Sequence, residues 1–141
     1  MKAEQITEEI NGLIKQLTVA DRHIAVGNDL VHLPSFIKSC TPAFIKRVFT
    51  PDELTYCSKF ADPYLRYAST WAAKEAVYKA VKQADENIKL WWKDIEILRA
   101  NPAGKPIVQI RKLKVPLEFS LTISHDGDYV WAIAICLYNK K

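Results

Sequence analysis

Glu75 and Lys79 stand four residues apart in the run Trp71-Ala72-Ala73-Lys74-Glu75-Ala76-Val77-Tyr78-Lys79-Ala80. The alanines, lysines and glutamate of this run are good helix formers. On a helix the four-residue spacing stacks the carboxylate and the ammonium on one face. Spacing alone fits a solvated ion pair, worth roughly 0.2–0.5 kcal/mol. The small apolar neighbours suggest more, since they let a ligand or a backbone approach closely and a carboxylate held there can take a metal ion. Asp29 is the second acid of interest. It lies between Val26 and Leu30-Val31, in a segment that reads as a short buried strand. An unpaired buried carboxylate is costly, so Asp29 needs a lysine, a helix N-terminus or a hard cation. Magnesium takes one or two protein carboxylates and completes its shell with waters and phosphate oxygens. Asp29 with Glu75 suits that ion, although spacing does not show that the two meet.

A third cluster is Leu121-Thr122-Ile123-Ser124-His125-Asp126, where Ser124 and His125 close a strand and enter a turn. A hydroxyl and an imidazole there can bind a phosphate or nucleotide, or can satisfy the turn backbone. No glycine-flanked nucleophile elbow, no Walker-type phosphate loop and no zinc-type cysteine and histidine spacing is present. Trp91 and Trp92 sit among only modest basic charge, a weak signal for a nucleic-acid platform.

The elements that must position these residues follow from periodicity. Ile6, Ile10, Leu13, Ile14 and Leu17 recur at helical spacing over residues 4 to 17, which predicts an amphipathic first helix. Residues 35 to 48 read as helical with a break at Pro42. Thr50-Pro51-Asp52-Glu53 has the form of a capping box opening a helix from Pro51 to about Phe60. The chemistry-bearing helix runs from Leu65 to about Gln83. The period then changes to two: Ile95 and Ile97 flank Glu96, and Val108 and Ile110 flank Gln109, with a turn over residues 101 to 106 between them. Strands from Glu118 to Ser124 and from Tyr129 to Leu137 meet across Asp126-Gly127, a hairpin signal. Helices first and an antiparallel meander after make an α+β domain.

The chain has 141 residues, of which 49% are hydrophobic and 26% charged, with a formal charge of +4. That fits a single soluble domain with a mild attraction for acidic partners or phosphates. No apolar run is long enough for a membrane helix and no signal-type apolar region opens the chain, so no membrane association is expected. Cys40, Cys57 and Cys136 are isolated and odd in number, which reads as reduced thiols in a cytoplasmic protein.

Five segments in this order resemble the holo-acyl-carrier-protein synthase type of phosphopantetheinyl transferase. They are the strand with Gly27 and Asp29, Phe49-Thr50-Pro51-Asp52-Glu53, Trp71 to Ala76 with Lys79-Ala80, Gly104-Lys105-Pro106, and Ile123-Ser124-His125. The resemblance runs from about Ile24 onward, so residues 1 to 22 form a helical extension and residues 23 to 141 the transferase domain. It implies the family's fold, helices packed on a mostly antiparallel sheet. It also implies the reaction, in which a serine of an apo acyl carrier protein attacks the β-phosphate of coenzyme A and adenosine 3',5'-bisphosphate leaves. Asp29 and Glu75 look like the metal carboxylates for magnesium, and Lys79 looks like the lysine that contacts phosphate and assists transfer. Lys74, Ser124 and His125 look like parts of the nucleotide-binding surface, and Lys105 and Pro106 match a loop near the nucleotide. Glu75, or a water on the metal, is the implied proton acceptor. Glu53 matches a family position that the capping box already explains. A homotrimer with sites between subunits is implied as well.

The chain departs from the pattern at Asn28, at Pro34-Ser35, at Ala43 and at Thr70, which stands for an arginine common before the helix motif. Several of these are carrier-docking positions, so the metal site looks intact and the docking surface altered. Two rivals remain: a coenzyme A-binding protein of this fold without transfer, and a small basic nucleic-acid adaptor. Magnesium dependence and salt-dependent nucleic-acid binding separate them.

Overall fold

The computed structural model describes residues 2–17, 22–99, 104–113 and 117–139. In chain order the elements are α1 (Ala3–Leu17), β1 (Arg22–His32), α2 (Leu33–Ser39), α3 (Pro42–Val48), α4 (Pro51–Cys57) and α5 (Pro63–Ala84). A 3-10 turn (Trp92–Asp94), β2 (Ile95–Leu98), β3 (Ile107–Ile110), β4 (Glu118–Asp126) and β5 (Tyr129–Asn139) follow. The expected α+β architecture is what the chain adopts.

Prolines open four of the helices at their first turn, where the missing amide costs nothing. The capping box at Thr50 is present in both directions. Its hydroxyl accepts the Glu53 amide at 3.3 Å, and Glu53 Oε1 accepts the Thr50 amide at 2.9 Å.

The single meander expected from the strand order is replaced by two sheets. β1, β5 and β4 form one, in that order, and β2 pairs with β3 in the other. Period-two alternation shows which residues form strands and carries no information on which strand they pair with. Here the first strand closes against the last, Arg22 opposite Asn139 and His32 opposite Tyr129. β1 is also longer than the short buried strand expected, and alternates between buried and exposed along its eleven residues.

The faces of the larger sheet differ in side-chain size. Ala25, Gly27, Ala132 and Ala134 lie on the inner face, and α5 rests on them through Ala72, Ala73, Ala76 and Ala80, whose side chains are buried. Small against small brings the backbones close. A Cβ on Gly27 would fall 1.9 Å from the Ala76 carbonyl oxygen and 2.6 Å from the Ala80 amide nitrogen. Gln83 at the far end of α5 accepts the Val26 amide at 2.7 Å, pinning the helix to the open edge of β1. The helix is thereby fixed in both height and register over Asp29.

Candidate active site

Asp29 points from β1 toward α5 and is 7% exposed. Lys79, on α5, donates to Asp29 Oδ1 at 2.9 Å and to the Asn28 carbonyl at 3.0 Å. Glu75, one turn earlier on the same helix face, stands beside Asp29, close enough for that carboxyl to raise the pKa of its own, and the two line one cavity. The three residues singled out on separate sequence segments therefore form one cluster, which the close seating of α5 over Gly27 makes possible.

Burial raises the Glu75 carboxyl, the neighbouring Asp29 raises it further, and Lys79 opposes them, leaving it at about 8. A half-buried carboxyl beside a second acid is costly to ionise, so Glu75 keeps its proton well above the usual carboxylate range. Asp29 Oδ2 is buried and has no hydrogen-bond partner among the described residues. An orphaned carboxylate oxygen beside a second carboxyl, both all-oxygen donors, is a set that a hard divalent cation satisfies. Magnesium fits this pair.

The cluster opens on a cavity of about 380 Å³ between β1, α2, α3 and α5. Asp29 and Glu75 line it together with His32, Ser35, Phe44 and Trp71. Phe44 meets Trp71 edge to face at 5.2 Å, and Trp71 meets Trp92 at 4.7 Å, so one wall is stiff and aromatic.

A second hollow of about 220 Å³ gathers Gly104, Pro106 and His125 with Tyr56, Arg66, Ser69 and Arg99. Lys105 lies exposed in the same segment. Arg66 stacks 4.0 Å above the Phe60 ring and Arg99 4.7 Å above that of Tyr56. Arg99 Nη1 is buried with no hydrogen-bond partner among the described residues, a donor left for an anion. Sequence reasoning passed over both arginines. Arg66 is one turn ahead of Thr70, where the family's arginine is missing, and that offset was the available signal.

Two expectations change. Lys74 is not on a nucleotide-binding surface: its side chain has no exposure, and Nζ bonds Glu53 Oε1 at 2.5 Å, with Glu53 equally buried. Glu53 Oε2 accepts the Ile97 amide at 2.9 Å, so the pair ties α4, α5 and β2 together. Desolvation lowers the Lys74 pKa, and the Glu53 carboxylate works against that shift. Lys74 and Glu75 are adjacent on a helix, about 100° apart, so one faces the core when the other faces the cleft. Ser124 and His125 likewise separate. His125 falls in the register of the inner face, opposite Val130, while Ser124 lies opposite the exposed Trp131 on the outer one. In a strand two neighbours cannot share a face.

Residues 25–134 match the family model described as the 4'-phosphopantetheinyl transferase superfamily. The chain belongs to that superfamily. Among curated relatives, the holo-[acyl-carrier-protein] synthase of Protochlamydia amoebophila is 36% identical over 119 residues, covering 79% of this chain and 96% of that protein. The fatty acid synthase alpha subunit hexA of Dothistroma septosporum is 36% identical over 110 residues, covering 78% of this chain but 33% of the relative. The chain thus spans a third of that subunit's length and nearly all of the free-standing synthase. The solved ACPS–CoA complex of Chronobacterium ammoniagenes superposes with a TM-score of 0.73 at 30% identity, covering 84% of this chain and 99% of the other. The five segments singled out in the sequence all fall inside the matched region.

Proposed function

We propose that this chain transfers the 4'-phosphopantetheine group of coenzyme A to a serine of an apo acyl carrier protein, releasing adenosine 3',5'-bisphosphate. The observation that carries the reading is the pairing of buried Asp29 with half-buried Glu75, with Lys79 bound to Asp29, set at a cavity within the family-matched segment.

The roles follow from chemistry. Asp29 and Glu75 would hold magnesium, which when bound neutralises and orients the pyrophosphate of coenzyme A. Lys79 is 54% exposed at its side chain, free to swing from Asp29 to a phosphate oxygen as charge builds on the leaving group. Arg66, Arg99 and His125 give the nucleotide phosphates a basic seat, with Gly104, Lys105 and Pro106 as its wall. The aromatic cavity admits the pantetheine arm and the attacking serine. The serine oxygen bonds to the β-phosphorus, the bridging bond to the α-phosphate breaks, and the serine proton passes to Glu75.

A homotrimer fits the outer face of the larger sheet. Ile24, Val26, Leu30, Tyr129, Trp131 and Ile135 stand on it, 39% to 62% exposed. Half-exposed side chains of roughly 150–250 Å² sum to on the order of 600 Å², high for a lone monomer and near the ~800 Å² each partner buries in a stable complex. Subunits meeting there would also bring Ser124 to the interface, where the nucleotide site of a neighbour can use it. Residues 1–22 then remain an extension to a domain of residues 23–141, supported by a family match that begins at residue 25. No described helix is long and apolar enough to cross a membrane. Burial pushes the thiols of Cys57 and Cys136 up to about 11, which suits a reducing, cytoplasmic setting.

The test is the intact mass of an apo acyl carrier protein after incubation with this protein, coenzyme A and magnesium. A phosphopantetheine increment that disappears with Glu75→Ala and with a chelator is expected. Retained coenzyme A binding with no increment on carriers from fatty-acid, polyketide and peptide synthesis would leave a binding protein of this fold.

A further inference from the structure

The cavity on which Asp29 and Glu75 open carries a second polar feature, used by neither the cation nor the nucleotide phosphates. His32, the last residue of β1, and Ser35, in the first turn of α2, both line it. Nδ1 of His32 and the Ser35 hydroxyl are hydrogen-bonded at 2.7 Å. His32 stands at the N-cap position of α2, yet its side chain caps no amide of that helix. The ring of Tyr129, its partner across the sheet, lies 5.2 Å from the imidazole. A hydroxyl at one edge and a ring alongside fix the orientation of the imidazole. Nε2, on the other side of the ring, has no hydrogen-bond partner among the described residues. It is a polar atom held in place for whatever fills the cavity.

Chemistry selects the occupant. Phe36, Phe44 and Trp71 give the lining an aromatic part, and His32 and Ser35 add hydrogen-bonding groups with no fixed charge. The pantetheine arm of coenzyme A has the matching composition: amides and a hydroxyl, all uncharged, spaced along a thin aliphatic chain. The arm also starts from the pyrophosphate assigned to Asp29 and Glu75, so its own tether delivers it to this cavity. A space of about 380 Å³ takes a linear chain of that kind, and of a folded carrier only the end of a side chain. The cations suited to an acidic protein surface, Lys38 on α2 and Lys46 and Arg47 on α3, stand outside the lining.

We propose that His32, oriented by Ser35, binds the pantetheine arm of coenzyme A, its Nε2 sharing a hydrogen bond with an amide or the hydroxyl of the arm. Anchored at the pyrophosphate and again at His32, the arm has one direction left to it, and the β-phosphorus is held still for the incoming serine. The inference rests on the transfer reading and adds a substrate contact to it.

The test is calorimetry on the full chain with magnesium and two ligands. One is coenzyme A; the other is adenosine 3'-phosphate 5'-diphosphate, which keeps the nucleotide and pyrophosphate and lacks the arm. His32→Ala is expected to raise the Kd for coenzyme A by about threefold to tenfold, the loss of one neutral hydrogen bond, and to leave the Kd for the armless nucleotide unchanged. His32→Gln, whose amide can replace Nε2, retains most of the affinity, and His32→Asn, which can replace only Nδ1, does not. Ser35→Ala keeps Nε2 but frees the ring, and gives a smaller loss confined to coenzyme A. Equal losses for the two ligands in His32→Ala make the pair a fold contact only and overturn the proposal. An unchanged Kd for both overturns it as well, and a raised KM for the carrier in that case assigns the pair to the carrier. An unsubstituted chain that binds neither ligand removes the transfer reading itself and the arm site with it.

Discussion

The proton held on Glu75 gives the site a pH signature. Glu75 titrates near 8 when no cation is bound, because burial and Asp29 hold the proton on. A cation must displace that proton, so magnesium binding tightens as pH rises from about 6 to 8 and releases protons at pH 7. Calorimetry in buffers of different ionisation enthalpy reads the release, and a binding heat independent of buffer would contradict it. The stability sign is opposite to the usual acid. The folded pKa lies above the ordinary 4.5, so the native state binds more protons, and stability without cation falls as pH climbs from about 4.5 to 8. Thermal melts across that range, with and without magnesium, check it, and the decline shrinks in Glu75→Gln. Lys74 belongs to a different class of residue. Lys74→Met leaves Glu53 charged and buried with two amides and no cation, which costs about 3–5 kcal/mol in urea unfolding. If the variant instead unfolds normally and only its KM for coenzyme A rises, Lys74 is a ligand residue after all. Arg66→Ala and Arg99→Ala should raise that KM by about tenfold or more each, the loss of a charge-assisted phosphate contact of roughly 1.5–3 kcal/mol.

At the scale of elements, the site depends on how low α5 sits on the sheet. Gly27 is the position where that height is set, and its requirement is clearance from the Ala76 carbonyl, not a left-handed backbone. Gly27→Ala forces helix and strand apart by an ångström or more. It should cost about 1–3 kcal/mol through overpacking and separate Glu75 from Asp29. The combined readout is a lower melting temperature together with a lost or weakened magnesium dependence of transfer. A variant that is merely less stable, with unchanged magnesium affinity, would show that the site tolerates the displacement. The same close seating explains why the helix carries alanine on several sides and has no clean polar stripe: it is covered by the sheet on one side and by α2, α4 and β2 on others.

At the scale of the molecule, the outer sheet face is the feature that a monomer does not explain. Trp131→Glu, in the middle of that face, is expected to reduce the mass in light scattering to one copy while far-UV dichroism is retained, and to lower carrier loading if neighbouring subunits complete the nucleotide site. A single-copy mass for the unsubstituted chain would remove the basis for the sheet interface.

Much of this was legible before any coordinates. Local rules act within a few residues, so the capping box at Thr50, the breaks at Pro42, the helix carrying Glu75 and Lys79, and the hairpin at Gly127 could be read directly. So could the candidacy of Asp29, because a buried acid demands a partner wherever it is. Periodicity does not reveal pairing partners, and the union of β1 with β5 came only from tertiary structure. Side-chain direction is the other gap. Neighbours on a helix or strand point different ways, so only the packing could place Lys74 in the core and Glu75 in the cleft, or turn His125 inward and Ser124 outward. The basic hollow joins Arg66 on α5 to Arg99 just past the end of β2, 33 positions on, and no local pattern records such a meeting. The sequence by itself determined which residues could bind a metal and phosphate. The tertiary structure decided which of them do so together, because that depends on the distance between β1 and α5, and the small side chains between them set it.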